Sequence, residues 1–298
     1  MNMKKRIYRL LSSKYIICVM YIPALALLCF FVLIPFLRGI NISLTDWDGY
    51  SQHYNYVGME KFKNIFTDYR VIRTIRNTFI YGFGSAAFQN ILGFAFALAF
   101  TRNKGSSRFM RTLIYLPTIV SGLIMGYIWH FFFQYTNGAI NDILKMLGAE
   151  PVDWLAKGLR AVFIITGVNT FQFLGIAMVI YIAGLKAIPE EYYEAATIDG
   201  ATSWNLLRYI TLPMLMPAIN ASVVMNVIGG LKLFDVIMAM TRGGPGYDTM
   251  SLSSMSYTLY FARADAGYSA ALGIFMVIII AIISLNMLVF FRQREVEL

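Results

Sequence analysis

The sequence predicts an all-α membrane protein with six transmembrane helices. Of its 298 residues, 58% are hydrophobic and only 14% are charged, whereas roughly 25% are charged in an ordinary soluble domain. Six stretches without Asp, Glu, Lys or Arg run for about 22 to 26 residues each, which is enough to cross a hydrocarbon core of about 30 Å. Backbone polar groups find no water in that core, so these stretches must be helical.

The six predicted spans belong to one transmembrane domain that covers residues 1–298. They lie at residues 15–37, 77–100, 112–133, 161–185, 210–235 and 270–291. The outer end of the fifth span is open, because its charge-free stretch already ends at Leu231. A signal peptide is the rival interpretation of the first span. We reject it because 23 apolar residues exceed the roughly 7 to 15 of a signal-peptide core.

The distribution of basic residues predicts which side of the membrane each loop faces. Alternating sides from the N-terminus places 13 Lys and Arg in about 56 residues on one side and 11 in about 100 on the other, with Lys232 left in the fifth span. The side richer in basic residues is cytoplasmic by the positive-inside rule. Both termini and the loop 186–209 are therefore expected in the cytoplasm.

The second span carries a stripe of small residues. Gly82, Ala86, Gly93 and Ala97 recur at helical spacing, with Asn90 between them. Small side chains let another helix approach closely in a membrane. We expect this face to be a helix-packing surface.

The motifs of a catalytic chain are missing from the sequence. The glycine cluster Gly243-Gly244-Pro245-Gly246 lacks the lysine of a phosphate-binding loop, and neither His53 nor His130 has the context of a zinc protease. There is no Gly-x-Ser-x-Gly nucleophile motif either. We expect a transport protein that is not an enzyme and that has no metal or cofactor of its own.

One loop departs from the positive-inside pattern. Residues 186–209 hold four acids, Glu190, Glu191, Glu194 and Asp199, against Lys186 and Arg208. Pro189 suits the first position of a helix, Gly200 suits the left-handed residue that ends one, and Thr202 or Ser203 can cap a second helix. The loop is predicted to form two short helices that make a compact hairpin.

The residues of this hairpin carry a resemblance to a known family. Glu194-Ala195-Ala196, then Gly200, Ile210 and Leu212-Pro213, reproduce the pattern E-A-A-x3-G-x9-I-x-L-P. This pattern resembles the signature of permease subunits of binding-protein-dependent ABC importers. The run from Ile188-Pro189 to Pro217 resembles the branch that handles oligosaccharides, of the maltose and glycerol-phosphate type.

The resemblance implies the fold of type I ABC importer permeases in a prokaryotic cytoplasmic membrane. It implies that the hairpin docks on a separate ATPase, with the contact or its geometry depending on Glu194, Ala195, Ala196, Asp199, Gly200, Ile210, Leu212 and Pro213. The implied partners are a second homologous permease, two ATPase subunits that use ATP and Mg, and an extracellular solute-binding protein. Asp199 has an alternative role, which is to cap the turn.

Polar residues within the spans are the candidates for contact with a substrate. In the fourth span, Asn169 and Gln172 are three positions apart and share a helix face, and Phe171 and Phe173 flank Gln172. Amides and aromatic rings together suit the hydroxyl groups and apolar faces of a sugar. The alternative role for each residue is a hydrogen bond between helices.

The fifth span adds Asn226, Lys232 and Asp235 to these candidates. Lys232 and Asp235 are three positions apart and can pair with each other or meet a ligand. Asn220 and Asn226 lie about 240° apart around a helix, so they cannot line one path unless the helix is broken. Gln89 and Asn90 in the second span rank below these residues.

The loop after the fifth span, with Thr241, Gly243, Gly244 and Pro245, is a candidate for docking of the binding protein or for gating. A plain Gly-Pro turn is the equal alternative.

The resemblance thus implies a sugar-importing ABC permease. The alternatives are a permease for another solute, such as a phosphodiester or an amino acid, and an ion-coupled transporter or channel that works alone.

Overall fold

The computed structural model describes residues 14–101 and 105–294, with side chains from residue 21 onward. The basic N-terminal residues from Lys4 to Arg9 lie outside this part of the chain. The described residues form thirteen helices and no strand; a single antiparallel bridge joins Thr45 and Tyr56. The helices in chain order are α1 (14–42), α2 (Glu60–Thr67), α3 (Tyr69–Phe100), α4 (Gly105–Ile119), α5 (Gly122–Phe133), α6 (Ala139–Met146), α7 (Gly158–Ala187), α8 (Glu190–Ile198), α9 (Ser203–Met214), α10 (Met216–Leu231), α11 (Asp235–Met240), α12 (Leu252–Phe261) and α13 (Ala266–Arg292).

Four of the described helices are long and apolar enough to cross a membrane, namely α1, α3, α7 and α13. Two bent pairs pass the same test together: α4 with α5, at an angle of 98°, and α9 with α10, at 66°. If each pair counts as one span, the described chain has six. The fold is therefore all-α and polytopic, with six candidate spans at most.

The third predicted span is not one straight helix. The chain leaves helical geometry at Val120 and Ser121, just after Pro117, whose missing N–H weakens the last turn of α4. Gln172 of α7 holds this break, because its side-chain amide donates to the Val120 carbonyl at 2.9 Å. The Thr118 hydroxyl in turn donates to the Gln172 carbonyl at 2.8 Å.

The small-residue stripe of α3 packs against other helices, as predicted. A Cβ placed on Gly93 would lie 2.7 Å from the Ala177 Cβ of α7, and one on Gly82 would lie 2.6 Å from Leu231 of α10. Ala86 and Ala97 are buried at 2% and 0% exposure. The close approach of α3, α7 and α10 forms the centre of the fold.

Helix α7 separates two ends of the molecule. Its 30 residues span about 45 Å at 1.5 Å per residue. Its first residue, Gly158, lies against Asp248 of the segment 241–250, and only Ile188 and Pro189 separate its last residue from α8. We call these the loop end and the hairpin end.

Candidate functional site

The hairpin of α8 and α9 closes through a Schellman motif at its turn. Gly200 adopts φ +79; its N–H donates to the Thr197 carbonyl at 3.1 Å, and the Ala201 N–H donates to the Ala196 carbonyl at 2.9 Å. The Thr202 hydroxyl caps α9 by accepting from the Asn205 N–H at 3.4 Å. These features confirm the predicted turn and show that Thr202, and not Ser203, caps α9.

Pro189 differs from its predicted place by one residue. It precedes the first residue of α8, Glu190, and has extended backbone angles of φ −61 and ψ 138. Its ring still fixes φ at a value that a helix can follow. The acids Glu190 and Glu191 occupy the first turn, where the helix dipole favours negative charge.

The tip of the hairpin is open to its surroundings. Glu194, Ala195 and Asp199 are exposed, and within the described chain the Asp199 carboxylate accepts no hydrogen bond that would make it a turn cap. Sequence reasoning missed two large apolar neighbours, Ile198 at 86% exposure and Trp204 at 63%. Their signal was present, since large apolar side chains in a charged loop between spans often mark a contact surface.

Helix α9 connects the hairpin to the membrane helices. The Tyr193 hydroxyl of α8 lies 3.0 Å from the Thr211 hydroxyl of α9. The signature residues Ile210, Leu212 and Pro213 lie in α9, on the way to the bend at Leu215. Leu215 is fully buried and packs against Gly184 of α7.

A small cavity with a mainly apolar lining and a few amide side chains lies among α3, α7 and α10. Its volume is about 160 Å³, and its lining includes Gln89, Asn169, Phe173 and Asn226. The Gln89 amide donates to the Asn169 carbonyl at 2.9 Å, and the Asn169 amide donates to the Ser85 hydroxyl at 2.9 Å. The side-chain carbonyl oxygens of Gln89 and Asn169 are buried and accept no hydrogen bond from the described residues.

A hydrogen-bonded chain supports one wall of this cavity. The Asn226 amide donates to the Ser222 hydroxyl at 3.3 Å, and that hydroxyl donates to the Asn90 side-chain carbonyl at 2.7 Å. The Tyr181 hydroxyl donates to the same oxygen at 2.7 Å. Sequence reasoning ranked Gln89 and Asn90 low and missed Ser85, Ser222 and Tyr181, because a single Ser or Tyr in an apolar span gives no pattern of its own.

Several predicted substrate residues lie elsewhere. Gln172 holds the break between α4 and α5, and the Phe171 ring stacks edge-on against Trp129 at 5.7 Å. Lys232 is exposed at the end of α10 and Asp235 begins α11; across the described residues, these two form no ion pair with each other. Asn220 borders a separate open groove that does not include Asn226, as their angular separation predicted.

The segment 241–250 is a folded loop. Gly243 adopts φ +85; its N–H donates to the Thr241 hydroxyl at 3.2 Å, and the Thr249 hydroxyl donates to the Gly244 carbonyl at 2.9 Å. The peptide bond between Gly244 and Pro245 is cis. Thr241, Gly243, Gly244 and Pro245 therefore form one tightly bonded turn.

Helix α3 holds this loop with one of its faces. The Asn77 amide donates to the Asp248 carbonyl at 2.7 Å and the Tyr81 hydroxyl donates to the Thr249 carbonyl at 2.8 Å. One turn earlier, Arg73 forms an ion pair with Asp248. An unattached Gly-Pro turn would not be expected to have these contacts, and they connect the loop to the helix that lines the cavity.

The histidines contribute no metal site to the described chain. His130 donates from Nδ1 to the Met240 carbonyl at 2.7 Å, which ties α5 to α11. The described residues contain no group of three or more His, Cys, Asp or Glu side chains that could hold a metal ion.

The chain is similar to transport proteins over most of its length. The model of a family described as "Binding-protein-dependent transport system inner membrane component" matches residues 89–297. A probable permease for starch degradation products from Thermoanaerobacterium thermosulfurigenes is 34% identical, with 93% of this chain and 94% of the relative covered. A lactose transport permease from Rhizobium radiobacter is 31% identical, with 92% of both covered.

Solved structures show the same fold. A chain of a bacterial ABC transporter that imports the acidic polysaccharide alginate matches with a TM-score of 0.81 at 24% identity, covering 97% of this chain and 99% of that one. A chain from the alginate transporter in complex with a periplasmic protein bound to alginate pentasaccharide matches with a TM-score of 0.80 at 25% identity, covering 95% and 96%. The helices of this chain thus follow the arrangement of an ABC importer permease.

Proposed function

Because the chain belongs to the family of inner membrane components of binding-protein-dependent transport systems, we propose that it forms half of the translocation pathway of an ATP-driven importer for neutral sugars or oligosaccharides. The other half comes from a second, homologous permease. The chain itself makes and breaks no bonds, and ATP with Mg is used by a partner ATPase. A solute-binding protein delivers the sugar at the loop end.

The residues that line the cavity favour a neutral sugar as the substrate. Within the described chain, the lining has three amide side chains, Phe173 and apolar residues, and no charged group. Amides exchange hydrogen bonds with hydroxyl groups, and an aromatic ring packs on the apolar face of a sugar. A phosphodiester or an amino acid would bring its charge into this low-dielectric site without a partner, which is costly.

The small volume of the cavity supports the proposal that this chain contributes only part of the substrate site and the second permease contributes the rest. The cavity's 160 Å³ is below the roughly 300 Å³ at which small-molecule sites begin. The side-chain oxygens of Gln89 and Asn169 are buried beside this cavity and accept no hydrogen bond within the described chain. In the proposed importer, the second permease supplies the rest of the volume around the sugar.

The hairpin is proposed as the contact with the ATPase. It displays Glu194, Ala195 and Asp199 beside the exposed Ile198 and Trp204, so it offers both charge and apolar surface. The bias of basic residues supports a cytoplasmic position for this end. Closure of the ATPase pair moves the hairpin, and α9 carries that movement through the bend at Leu215 to the helices around the cavity.

The alternative of an ion-coupled transporter that works alone has less support. Such a protein would use ionisable side chains inside the membrane as its coupling site. The described cavity has none in its lining, and the alternative gives the exposed hairpin no role.

Uptake by proteoliposomes tests the proposed function. The chain is reconstituted with the second permease, the ATPase and the solute-binding protein, and uptake of labelled neutral oligosaccharides is compared with that of a phosphodiester and an amino acid. We expect uptake of a neutral saccharide only with ATP and the binding protein. Uptake by the chain alone, or uptake of only a charged solute, would contradict the proposal.

A further inference from the structure

A charged cavity at the loop end has no role in the pathway described above. Its volume is about 520 Å³, and it lies where α2, the start of α3 and the junction of α12 and α13 meet. Its lining includes three cations, Lys61, Arg70 and Arg263, and two carboxylates, Asp68 and Asp265. These five groups leave a net charge of +1 on its wall.

The two carboxylates are occupied by the chain itself. The Lys61 ammonium contacts both Asp265 oxygens at 2.9 and 3.1 Å. Arg70 holds both Asp68 oxygens, with its Nη2 donating at 2.7 Å. The hydrogen bonds from Arg70 lower the pKa of Asp68, which keeps this carboxylate ionised. Neither acid forms an ion pair with Arg263 within the described chain, although the charge of Arg263 adds to the lowering of the Asp68 pKa.

Two groups in the cavity lack a full set of partners within the described chain, namely the Arg263 guanidinium and the Tyr268 hydroxyl. Arg263 has no carboxylate partner within the described chain; its guanidinium donates to the Tyr247 hydroxyl and lies 5.1 Å from the centre of that ring. Arg70 lies 5.7 Å from the same ring, so both guanidiniums contact Tyr247 of the loop. The Tyr268 hydroxyl is buried without a hydrogen-bond partner among the described residues, on a side chain that is 7% exposed.

The sequence segment that borders this cavity is basic. Residues 60–76 contain five Lys and Arg and only two acids, Glu60 and Asp68, immediately before the second predicted span. The positive-inside rule disfavours such a cluster on the outer side of the membrane. A binding role for these basic residues accounts for their position on that side.

We propose that this cavity, the basic cavity, receives acidic side chains of the solute-binding protein, an inference that rests on the proposed function. Carboxylates match its spare N–H donors, because a guanidinium presents a fork of donors to two oxygens. Its place at the loop end, about the length of α7 from the hairpin, puts it on the face where that protein arrives. Because Tyr247 touches both Arg70 and Arg263, docking there acts directly on the loop.

Lipid phosphates explain the geometry less well. Arg70 is turned to Asp68 and Tyr247, and Arg73 to Asp248, so both side chains point to groups of the same chain. The spare charge lies in a concave, polar space that an acidic protein side chain can enter. We therefore assign the basic cavity to a protein partner.

Binding of the solute-binding protein to the assembled transporter in nanodiscs tests this assignment. The binding protein is purified with and without its saccharide. We expect Arg263→Glu to weaken the binding of both forms by about tenfold, since like charges then face each other. Lys63→Glu makes the same charge change on the exposed face of α2, outside the cavity lining, and is expected to change the affinity less than about twofold because solvent and salt screen it.

A conservative variant separates charge from local structure. Arg263→Lys keeps the charge and loses the planar fork of donors, so we expect an affinity between those of the wild type and Arg263→Gln, with the dependence on NaCl concentration retained. Arg263→Gln is expected to lose both the affinity and this dependence. Assembly with the partner subunits, followed by size-exclusion chromatography, verifies that each variant is folded.

Each result has a distinct meaning. Wild-type affinity in Arg263→Glu, or equal losses in the Lys and Gln variants, would overturn the basic cavity as a docking site. Weakening only when saccharide is bound would also overturn it, because the sugar would then be the contacting group. Absence of any binding to the wild-type transporter would contradict the proposed function, and this inference with it.

Discussion

The side chains that define the cavity among α3, α7 and α10 are neutral amides, and their chemistry can be tested one residue at a time. Asn226 is 6% exposed and its only described side-chain bond is a long one of 3.3 Å to Ser222. Replacing it removes hydrogen-bonding groups at small cost to the fold. The amide is therefore free to serve a ligand.

We expect Asn226→Leu to lower saccharide uptake by about tenfold, the equivalent of about one hydrogen bond to the substrate. Asn286→Leu is the matched control, because Asn286 is exposed on α13 and, among the described residues, bonds only to Ile282 of its own helix. The measurement is the initial rate of uptake in proteoliposomes. Equal rates for the two variants would remove Asn226 from the pathway.

Gly200 allows a test of the hairpin at a single backbone position. A Cβ there meets open space, so the obstacle is φ +79, which costs an L-residue about 1 to 2 kcal/mol. We expect Gly200→Val to distort the turn that presents Glu194 and to reduce uptake several-fold while ATP hydrolysis continues. The ratio of saccharide transported to ATP hydrolysed is the measurement.

Gly148 provides the control for this strain. Gly148 has φ +77, and a Cβ added to it would also meet open space. It lies outside the hairpin, in the loop that follows α6. Gly148→Val suffers the same local strain and should leave the ratio of transport to hydrolysis unchanged. If both variants lost coupling equally, general instability would explain the effect and the hairpin would have no special part.

Helix packing depends on glycines that can be recognised by what surrounds them. A Cβ on Gly93 of α3 would lie 2.7 Å from the Ala177 Cβ and 3.0 Å from the Met178 backbone nitrogen. Backbone atoms cannot move aside as a flexible side chain can. We expect Gly93→Ala to separate α3 from α7 and to destabilise the fold by about 1 to 3 kcal/mol.

A glycine in open space serves as the comparison. A Cβ on Gly273 of α13 would meet no neighbouring side chain or other helix within 4 Å. Gly273→Ala should therefore leave the thermal midpoint in detergent unchanged or slightly raised, since Ala favours a helix. The midpoint of Gly93→Ala should fall by several degrees. A midpoint as high as that of the wild type would show that α3 and α7 do not need this close contact.

The elements that sequence could predict are those set by local patterns. The apolar stretches, the stripe from Gly82 to Ala97 and the turn at Gly200 each follow from spacing or from a single residue with a special backbone requirement. The break after Ile119 follows only in part, because Pro117 weakens the turn before it. The bond that holds the break comes from Gln172, which is 52 positions from the carbonyl that it binds, and no local pattern encodes such a bond.

The same limit applies to the cavity. Asn169 and Gln172 share a helix face, yet one lines the cavity and the other holds α4 against α5. Gln89 joins Asn169 only because α3 and α7 cross at that height. Which amide meets which neighbour is decided by the packing of three helices, so the sequence could give the residue types of the site without their grouping.

The whole chain connects two distant surfaces through its central helices. At the hairpin end, α9 leads from the exposed tip of the hairpin to the bend at Leu215. At the loop end, Asn77 and Tyr81 of α3 hold the segment 241–250. The cavity lies among the helices that run between them. This arrangement fits the proposed function, in which an ATPase and a solute-binding protein contact opposite ends of the chain.

Site-directed crosslinking from Glu194 tests the central claim most directly. Glu194→Cys is labelled with a photoactivatable group in the reconstituted importer, after its ATP-dependent uptake has been verified. We predict an adduct with the ATPase subunit whose yield changes when ATP is bound, and no such adduct from Glu150→Cys, an exposed residue at the loop end. If a transporter that still imports saccharide gave no adduct with the ATPase from position 194, the hairpin would not be the point at which ATP drives this permease.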